Sequence, residues 1–565
     1  MFPWTNKDMP LIWMPPNLLL WSSKLDTAGQ YSFRTFRSLS AVLALASTMA
    51  CNAPQEQDLL PQGEPEGSVQ RASGSTPPPL SAIPVPRPSG GDIVDMAAAV
   101  RLGKALFWDV QAGGDGQTAC ASCHFKAGAD NRMRNTIHPG PNGTFQAVSG
   151  PDQLFSGKAI TSDDVMGSQG VAQATFQAIS SDPTVAADLC TPVSSPQFGS
   201  FRQVTGRNSP TVIGAVFYRD NFWDGRANHR FNGLDPFGAT GNAQGGLTAL
   251  ENSSLASQAV GPANDHVEMA CAGRPFNGAN SLGAKLLTRQ PLRLQQVSPT
   301  DSMLGALSAA PADGLKCGGL PCTYRDLVAA AFGPDMARDA EARFSSIWGQ
   351  AIQAYEATLI PNDTPFDRFL AGNQNAMTDK QKRGWDRFQG KGSCAKCHAG
   401  SELSDATVSF AAAEGLINED GGDQGFHNIG VRPTAEDLGR ASIGPGGVPF
   451  SVSRARADRG AFKTPGLRNV KLTAPYFHNG GKATLAEVVD LYARGGDFKN
   501  PELATRVQPL SLDSDDRAAL VAFMAEALTD CRVEKDRAPF DHPSLVLPNG
   551  STLPAVGAAG LGPCP

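Results

Sequence analysis

Two pentapeptides, Cys120-Ala-Ser-Cys123-His124 and Cys394-Ala-Lys-Cys397-His398, constrain this chain more than any other feature. Cysteines three apart can each add a thiol across a haem vinyl group, and the histidine that follows is then held beneath the iron as its proximal ligand. Two covalently bound haems c are therefore expected, the first on Cys120, Cys123 and His124, the second on Cys394, Cys397 and His398. A zinc site would need four ligands in compatible pairs, and a redox dithiol has no use for the trailing histidine twice. Because a haem supplies much of a core, the chain around it can be short helices in long loops, and the 60 glycines and 43 prolines demand such interruption.

The expected fold class is mainly α, with two cytochrome c-like haem domains built from short helices and long loops. Residues 92–108 are predicted helical, with Val94, Ala98, Leu102 and Leu106 on one face. Helices at 341–359 and 378–389 precede the second motif, and Thr378 with Gln381 makes a capping box for the latter. The helix at 485–494 is the best specified: Thr484 and Glu487 cap it, Leu485, Val488 or Val489, and Tyr492 share a face, and Gly495-Gly496 stops it. Tyr492 is thus aimed inward, which by itself is ordinary for a core residue.

Export is written near the start. Arg34 and Arg37 precede an apolar run, Leu39 to Ala50, too short to span a bilayer, and Ser47-Thr-Met-Ala-Cys51 ends it in the manner of a loose bacterial lipobox. The expectation is an exported protein of the periplasm or outer envelope, lipid-anchored at Cys51; an ordinary secretory signal is the alternative. Beyond Cys51 and the two motifs, six cysteines remain (Cys190, Cys271, Cys317, Cys322, Cys531 and Cys564), an even number that suits an oxidising compartment. Cys317 with Cys322 can close a tight loop and Cys531 with Cys564 can pin the tail, although pairing is left open by sequence. The organisation read along the chain is an export segment at 1–51, a flexible linker at 52–91, a first haem domain at 92–340, a second at 341–545 and a tail at 546–565. A net charge of -6 leaves no footprint for nucleic acid, and an acidic surface can face a basic electron donor.

The order of several further motifs resembles the bacterial di-haem cytochrome c peroxidase superfamily, which includes MauG. These are Leu102-Gly-Lys-Ala-Leu-Phe107, Asn208-Ser-Pro-Thr-Val212, Phe222-Trp-Asp-Gly-Arg-Ala227, Gln258-Ala, Glu268-Met269, Phe462-Lys-Thr-Pro-Gly-Leu-Arg-Asn469 and Leu472-Thr-Ala-Pro-Tyr-Phe-His-Asn-Gly480. The resemblance implies a peroxidatic first haem on His124, where hydrogen peroxide meets iron, and an electron-relaying second haem on His398, with Trp223 lying between them. It implies that Gln258 and Glu268 form the pair above the first iron, Glu268 moving a proton from the near peroxide oxygen to the departing one and Gln258 orienting peroxide or water. It also implies a Ca2+ ion held by the Asn208 side-chain oxygen and the carbonyls of Thr473 and Pro475. In the family helix whose inward residue is methionine in ordinary peroxidases, this chain has Tyr492, as MauG has tyrosine. The resemblance thus implies Tyr492 as second ligand of the second iron, with Met524 and His542 as competitors and His478 in the family loop, and a phenolate there favours ferric and higher oxidation states.

The chain departs from the family in about thirty residues between Arg226 and Gln258, including Phe231-Asn-Gly-Leu-Asp-Pro-Phe237, read equally as a substrate entrance or an external loop. His138 can be a removable ligand of the first iron, while His229 and His266 carry no assignment. Three functions follow from the resemblance. One is peroxide detoxification with electrons from a small cytochrome c or cupredoxin, and another is MauG-like oxidation of an external substrate, which Tyr492 favours. The third is dioxygenation resembling that of the di-haem rubber oxygenases. A plain electron carrier has no need of the Gln258 and Glu268 pair.

Overall fold

The computed structural model describes residues 76–238, 246–549 and 551–564. The export segment, Cys51 and most of the linker lie outside the described residues. No described helix is long and apolar enough to cross a membrane.

Two buried apolar clusters organise the chain, one around each Cys-x-x-Cys-His motif. In the first, the Met96–Trp108 helix starts where the Asp95 carboxylate accepts from the Ala98 N–H at 2.9 Å. This cap leaves Val94 outside the helix and 70 % exposed, so Val94 does not join the face that Ala98, Leu102 and Leu106 bury. Gly103 lies against the Phe344–Glu356 helix so closely that a Cβ would stand 1.9 Å from the Ala351 carbonyl oxygen. Only glycine permits that crossing.

The second cluster repeats this design. The Asp379–Gln389 helix begins at the expected Thr378 and Gln381 capping box and crosses the Ser514–Ala522 helix at Gly384, whose added Cβ would stand 2.1 Å from the Ala519 oxygen. Four residues beyond each glycine a phenylalanine approaches the motif histidine: Phe107 to His124 at 6.2 Å, Phe388 to His398 at 6.3 Å between ring centres. The Leu485–Ala493 helix carries its Thr484 and Glu487 capping box and ends at Gly495 and Gly496, both with positive φ.

Segments beyond residue 340 also contribute to the first cluster. Ile347, Trp348, Ala351 and Ile352 of the Phe344–Glu356 helix are buried in the first cluster, and so are Val533, Phe540, Leu545 and Leu547. Leading into the second motif in sequence, that helix nonetheless closes the first core, because its small and aromatic residues match Gly103. The C-terminal stretch likewise returns to the first core, where Asp541 accepts from the Ser302 N–H and hydroxyl at 2.6 Å.

Residues at the end of the supposed linker are docked. Leu80 is buried with Phe217 and Leu255, its N–H donates to Asp367, and the Ser401 hydroxyl donates to the Pro78 carbonyl. Helices are short, the longest named here having 13 residues, and loops carry most of the rest. The described strands form two-stranded antiparallel pairs, including Ile137–His138 with Val165–Met166 and Phe462–Lys463 with Phe426–His427. Mainly α therefore describes the cores better than the whole. Disulfides join Cys190 to Cys271, Cys317 to Cys322 and Cys531 to Cys564.

Candidate functional site: two cysteine-histidine centres

At the first motif, helix Ala121–His124 presents a half-buried histidine whose Nδ1 pairs with the Gly128 carbonyl at 2.8 Å. This leaves Nε2 to serve as an iron ligand, and the carbonyl fixes the tautomer and raises ligand basicity. At the second motif, His398 Nδ1 faces the Pro465 and Leu403 carbonyls at 3.0 and 3.2 Å, to the same effect. All four motif cysteines are free of disulfides. Burial pushes the Cys123 and Cys394 thiols up to about 12, opposite to the lowered value a redox dithiol requires. Nor do the motifs combine into a zinc site: among the described residues the one compact group of candidate metal ligands is Cys397, Asp405 and His427.

A largely apolar cavity opens beside the second motif, lined by Cys394, Cys397, His398, Tyr492 and Met524. Leu485, Val488 and Val489 line it too, so the inward face read from sequence is the cavity face. Burial raises the Tyr492 hydroxyl well above its ordinary range, so only a strong cation would hold it as phenolate. Met524 reaches the same space from a π-helical turn, Phe523–Ala527. The residues present fit a haem here: paired thiols, a histidine nitrogen, Tyr492 and Met524 as further candidate donors, and apolar walls.

His542 is removed as a ligand of the second iron. It stacks on Trp108 at 4.7 Å and lines a small cavity with His124 and Phe107, because the C-terminal stretch packs on the first core. His478 lines the second cavity, stacked on Phe462 at 3.5 Å, and burial lowers its pKa to about 3.

Trp223 also lines the second cavity. Its indole N–H donates to the Asn208 carbonyl at 2.8 Å, its carbonyl accepts from the Lys463 N–H at 2.8 Å, and its ring meets His478 edge-on at 6.4 Å. Asn208 is tied to the same loop: its N–H donates to the His478 carbonyl and its side-chain amide to the Pro475 carbonyl at 2.9 Å. Thr473 spends its hydroxyl on the Val470 carbonyl.

Glu268 is held by Asp265, whose carboxylate accepts from the Val267 and Glu268 N–H groups at 2.8 and 3.1 Å. Burial first, then repulsion from Asp265, raises Glu268 to about 7 against the pull of Arg226. Its charge is felt at both Cys120 and Cys123, which places the carboxyl beside the first motif. Gln258 sits half-buried on the Ser254–Ala259 helix. Arg226 lies over the Phe222 ring at 3.7 Å and pairs with Asp224 at 3.1 Å.

The remaining histidines go elsewhere. His138 pairs in a strand with Val165 and contacts Phe198 at 5.8 Å, His229 binds Asp220 at 3.1 Å, and His266 is exposed. Phe231 of the insertion is fully buried against Gly349, so this side chain packs in the first core. Sequence reading missed Glu356, buried and raised to about 8 by burial, and the buried His427 and Asp405 pair at 2.8 Å beside Cys397. Only their position beside a motif marks them, and that depends on long-range packing.

A family described as di-haem cytochrome c peroxidase matches residues 97–291, the stretch carrying His124, Asn208, Trp223, Gln258 and Glu268. MauG of Methylorubrum extorquens is 34% identical over 174 residues, 31% of this chain and 42% of that protein. The chain is thus similar to di-haem cytochrome c peroxidases. Haem c is accordingly its cofactor class. Cytochrome-c peroxidase IdrP2 of Denitromonas iodatirespirans is 35% identical over 197 residues, 32% of this chain and 47% of that protein. These two matches thus span less than half of either relative. Cytochrome-c peroxidase IdrP1 of Pseudomonas sp. (strain SCT) matches at 27% over 463 residues, 80% of this chain and 86% of that protein. Among solved structures, a MauG-like protein associated with microbial copper homeostasis aligns with a TM-score of 0.44 and 21% identity over 83% of this chain and 97% of its own.

Proposed function

We propose that this protein is a di-haem c-type oxidoreductase that reduces hydrogen peroxide at the centre built on His124, with electrons relayed from the centre built on His398. The observation that carries the reading is Glu268: a carboxyl beside the first motif, raised to about 7, is poised both to accept and to return a proton near neutrality. The haems supply the redox chemistry when bound. His124 and His398 supply the proximal nitrogens, and Glu268 takes the proton from the near peroxide oxygen and delivers it to the departing one, so that water leaves. Gln258 orients peroxide, and Trp223, fixed at both its indole N–H and its carbonyl, bridges toward the second centre.

Tyr492 is the proposed second ligand of the second iron, which makes the enzyme MauG-like and suited to oxidising an external substrate. Met524 supports the conventional peroxidase as second reading, since it reaches the same cavity. Electron paramagnetic resonance of the diferric protein separates them: Tyr492→Phe changes the low-spin signal under the first reading, whereas Met524→Leu changes it under the second. A spectrum indifferent to Tyr492→Phe removes the tyrosine.

Ca2+ belongs to the proposal as well. Asn208 and the Pro475 carbonyl adjoin, so turning the amide presents its oxygen beside that carbonyl, with the Thr473 carbonyl as third donor. The partners proposed are hydrogen peroxide and a small cytochrome c or cupredoxin, or an oxidisable substrate. Three disulfides support export, and the membrane attachment proposed is a lipid anchor at Cys51.

A further inference from the structure

Beside the first motif, a run of aromatic rings is in contact. The Phe107 ring stands 6.2 Å from His124 and meets Tyr355 edge-on at 5.5 Å. The Trp108 indole N–H donates to the Tyr355 hydroxyl at 3.1 Å, and the other face of the chain of rings is His542, stacked on Trp108 at 4.7 Å and 9°. All three polar rings are buried. His542 belongs to the C-terminal stretch tied by Cys531 and Cys564, and its Nε2 stands 3.9 Å from the partly exposed Asp536. The rings therefore run from the first centre toward the surface without touching Trp223.

The charges around them have one sign in excess. Lys104 lies 2.8 Å from Asp301 and 3.8 Å from Asp541, all three side chains fully buried, so one ammonium faces two carboxyl groups. Both carboxyls act on Tyr355, and Asp541 precedes His542. Two buried carboxyl groups sharing one ammonium favour a positive charge on a neighbouring ring, since electrostatic interactions are strong where water is excluded.

We propose that Trp108, hydrogen-bonded to Tyr355 and stacked on His542, is a redox relay that carries oxidising equivalents from the first centre toward the C-terminal surface. This rests on the peroxide-reducing reading above. Reduction of peroxide to two waters consumes two electrons and two protons. Trp108 gives one electron and becomes an indole radical cation, its N–H proton remaining shared with the Tyr355 oxygen; the second electron comes from the second centre. A one-electron reductant at the C-terminal surface, such as a small redox protein or a phenol, then returns the electron to Trp108. The relay would spare the protein when the normal donor is absent.

The test uses the holoprotein and its Trp108→Phe and Tyr355→Phe variants, frozen after one equivalent of peroxide with no reductant present. An organic-radical signal that changes when tryptophan is ring-deuterated, and that is lost in Trp108→Phe, is expected. Peroxide consumed without a radical, or a radical unchanged in Trp108→Phe, overturns the relay while leaving the peroxidase reading intact. Haem spectra indifferent to peroxide would instead sink the peroxidase reading. A photogenerated ruthenium(III) tris-bipyridine oxidant then decides the relay without peroxide: a radical in wild type that Trp108→Phe loses supports it, and equal radical yields overturn it.

Discussion

The two halves of this molecule share one scaffold and differ at the residues that touch it. In the first half Gly103, Phe107 and His124 meet Ala351 and Tyr355; in the second Gly384, Phe388 and His398 meet Ala519 and Phe523. Phe107 meets Tyr355 at 5.5 Å and 60°, and Phe388 meets Phe523 at 5.4 Å and 61°. The next residue along each partner helix is Glu356 in one half and Met524 in the other. A helix crossing at glycine therefore builds the bed for a cysteine-histidine motif twice, and single side chains then give each bed its own chemistry. Where the second half supplies Tyr492 and Met524 to its cavity, the first has the ionisable Glu268 and Glu356 close by.

The largest effect should come from the group without a counterpart. Glu268→Gln keeps the shape and removes the proton carrier, so peroxide turnover should fall by roughly 10²-fold or more with both haems still attached. Because Glu268 titrates at about 7, above its ordinary value of 4.5, the proton-accepting carboxylate is lost as pH falls through neutrality, and wild-type turnover should fall with it. The variant should show a flatter profile. Turnover at wild-type level in Glu268→Gln would remove the asymmetry between the halves.

Glu356 tests the same difference through stability. Its folded pKa of about 8 lies above the ordinary 4.5, so its stabilising contribution is complete below about pH 4.5 and lost as pH rises through 8. Near neutrality the buried acid should cost on the order of 2 kcal/mol relative to a neutral isostere. Thermal melts of Glu356→Gln against wild type should therefore diverge in the variant's favour between pH 5 and 8, while Met524→Leu shows no such pH dependence; parallel curves for Glu356→Gln would refute the burial argument.

The shared scaffold is sharpened by comparing Gly103→Ala with Gly384→Ala. Each adds a Cβ inside contact distance of a backbone oxygen, so each should destabilise by about 1–3 kcal/mol and lower haem attachment in its own half. Haem content by pyridine haemochrome and melting temperature read both. If only one alanine is harmful, the equivalence of the crossings fails.

How much of this was visible in the chain follows from range. The motifs, the capping boxes at Thr378 and Thr484, and the cavity-facing side of Tyr492 depend on residues within a few positions of one another, and local spacing reveals them. The Gly103 crossing joins residues 248 positions apart in number, 103 and 351, and nothing near Gly103 names its partner. Sequence order groups the Phe344–Glu356 helix with the second motif and leaves His542 a competing ligand there, yet both pack at the first core, because each depends on which core the chain returns to. Val94 failed for a smaller reason: it fits the periodicity, yet Asp95 caps the helix one residue later.

That last miss gives the smallest test. Asp95 and Thr378 each accept from a backbone N–H at the start of the helix that carries the crossing glycine, Asp95 from Ala98 and Thr378 from Gln381. The Thr378 N–H also donates to the Gln381 side-chain oxygen at 2.8 Å, a reciprocal bond for which the Asp95 cap has no equivalent. Replacing either by alanine should cost about 1 kcal/mol, with Thr378→Ala leaving the reciprocal Gln381 bond in place and so sitting at the lower end. Urea titrations of the two variants measure this directly. A larger loss for Thr378→Ala would mean that the second helix depends on its cap more than on the Gly384 crossing, and the two halves would then be alike in geometry but not in what holds them.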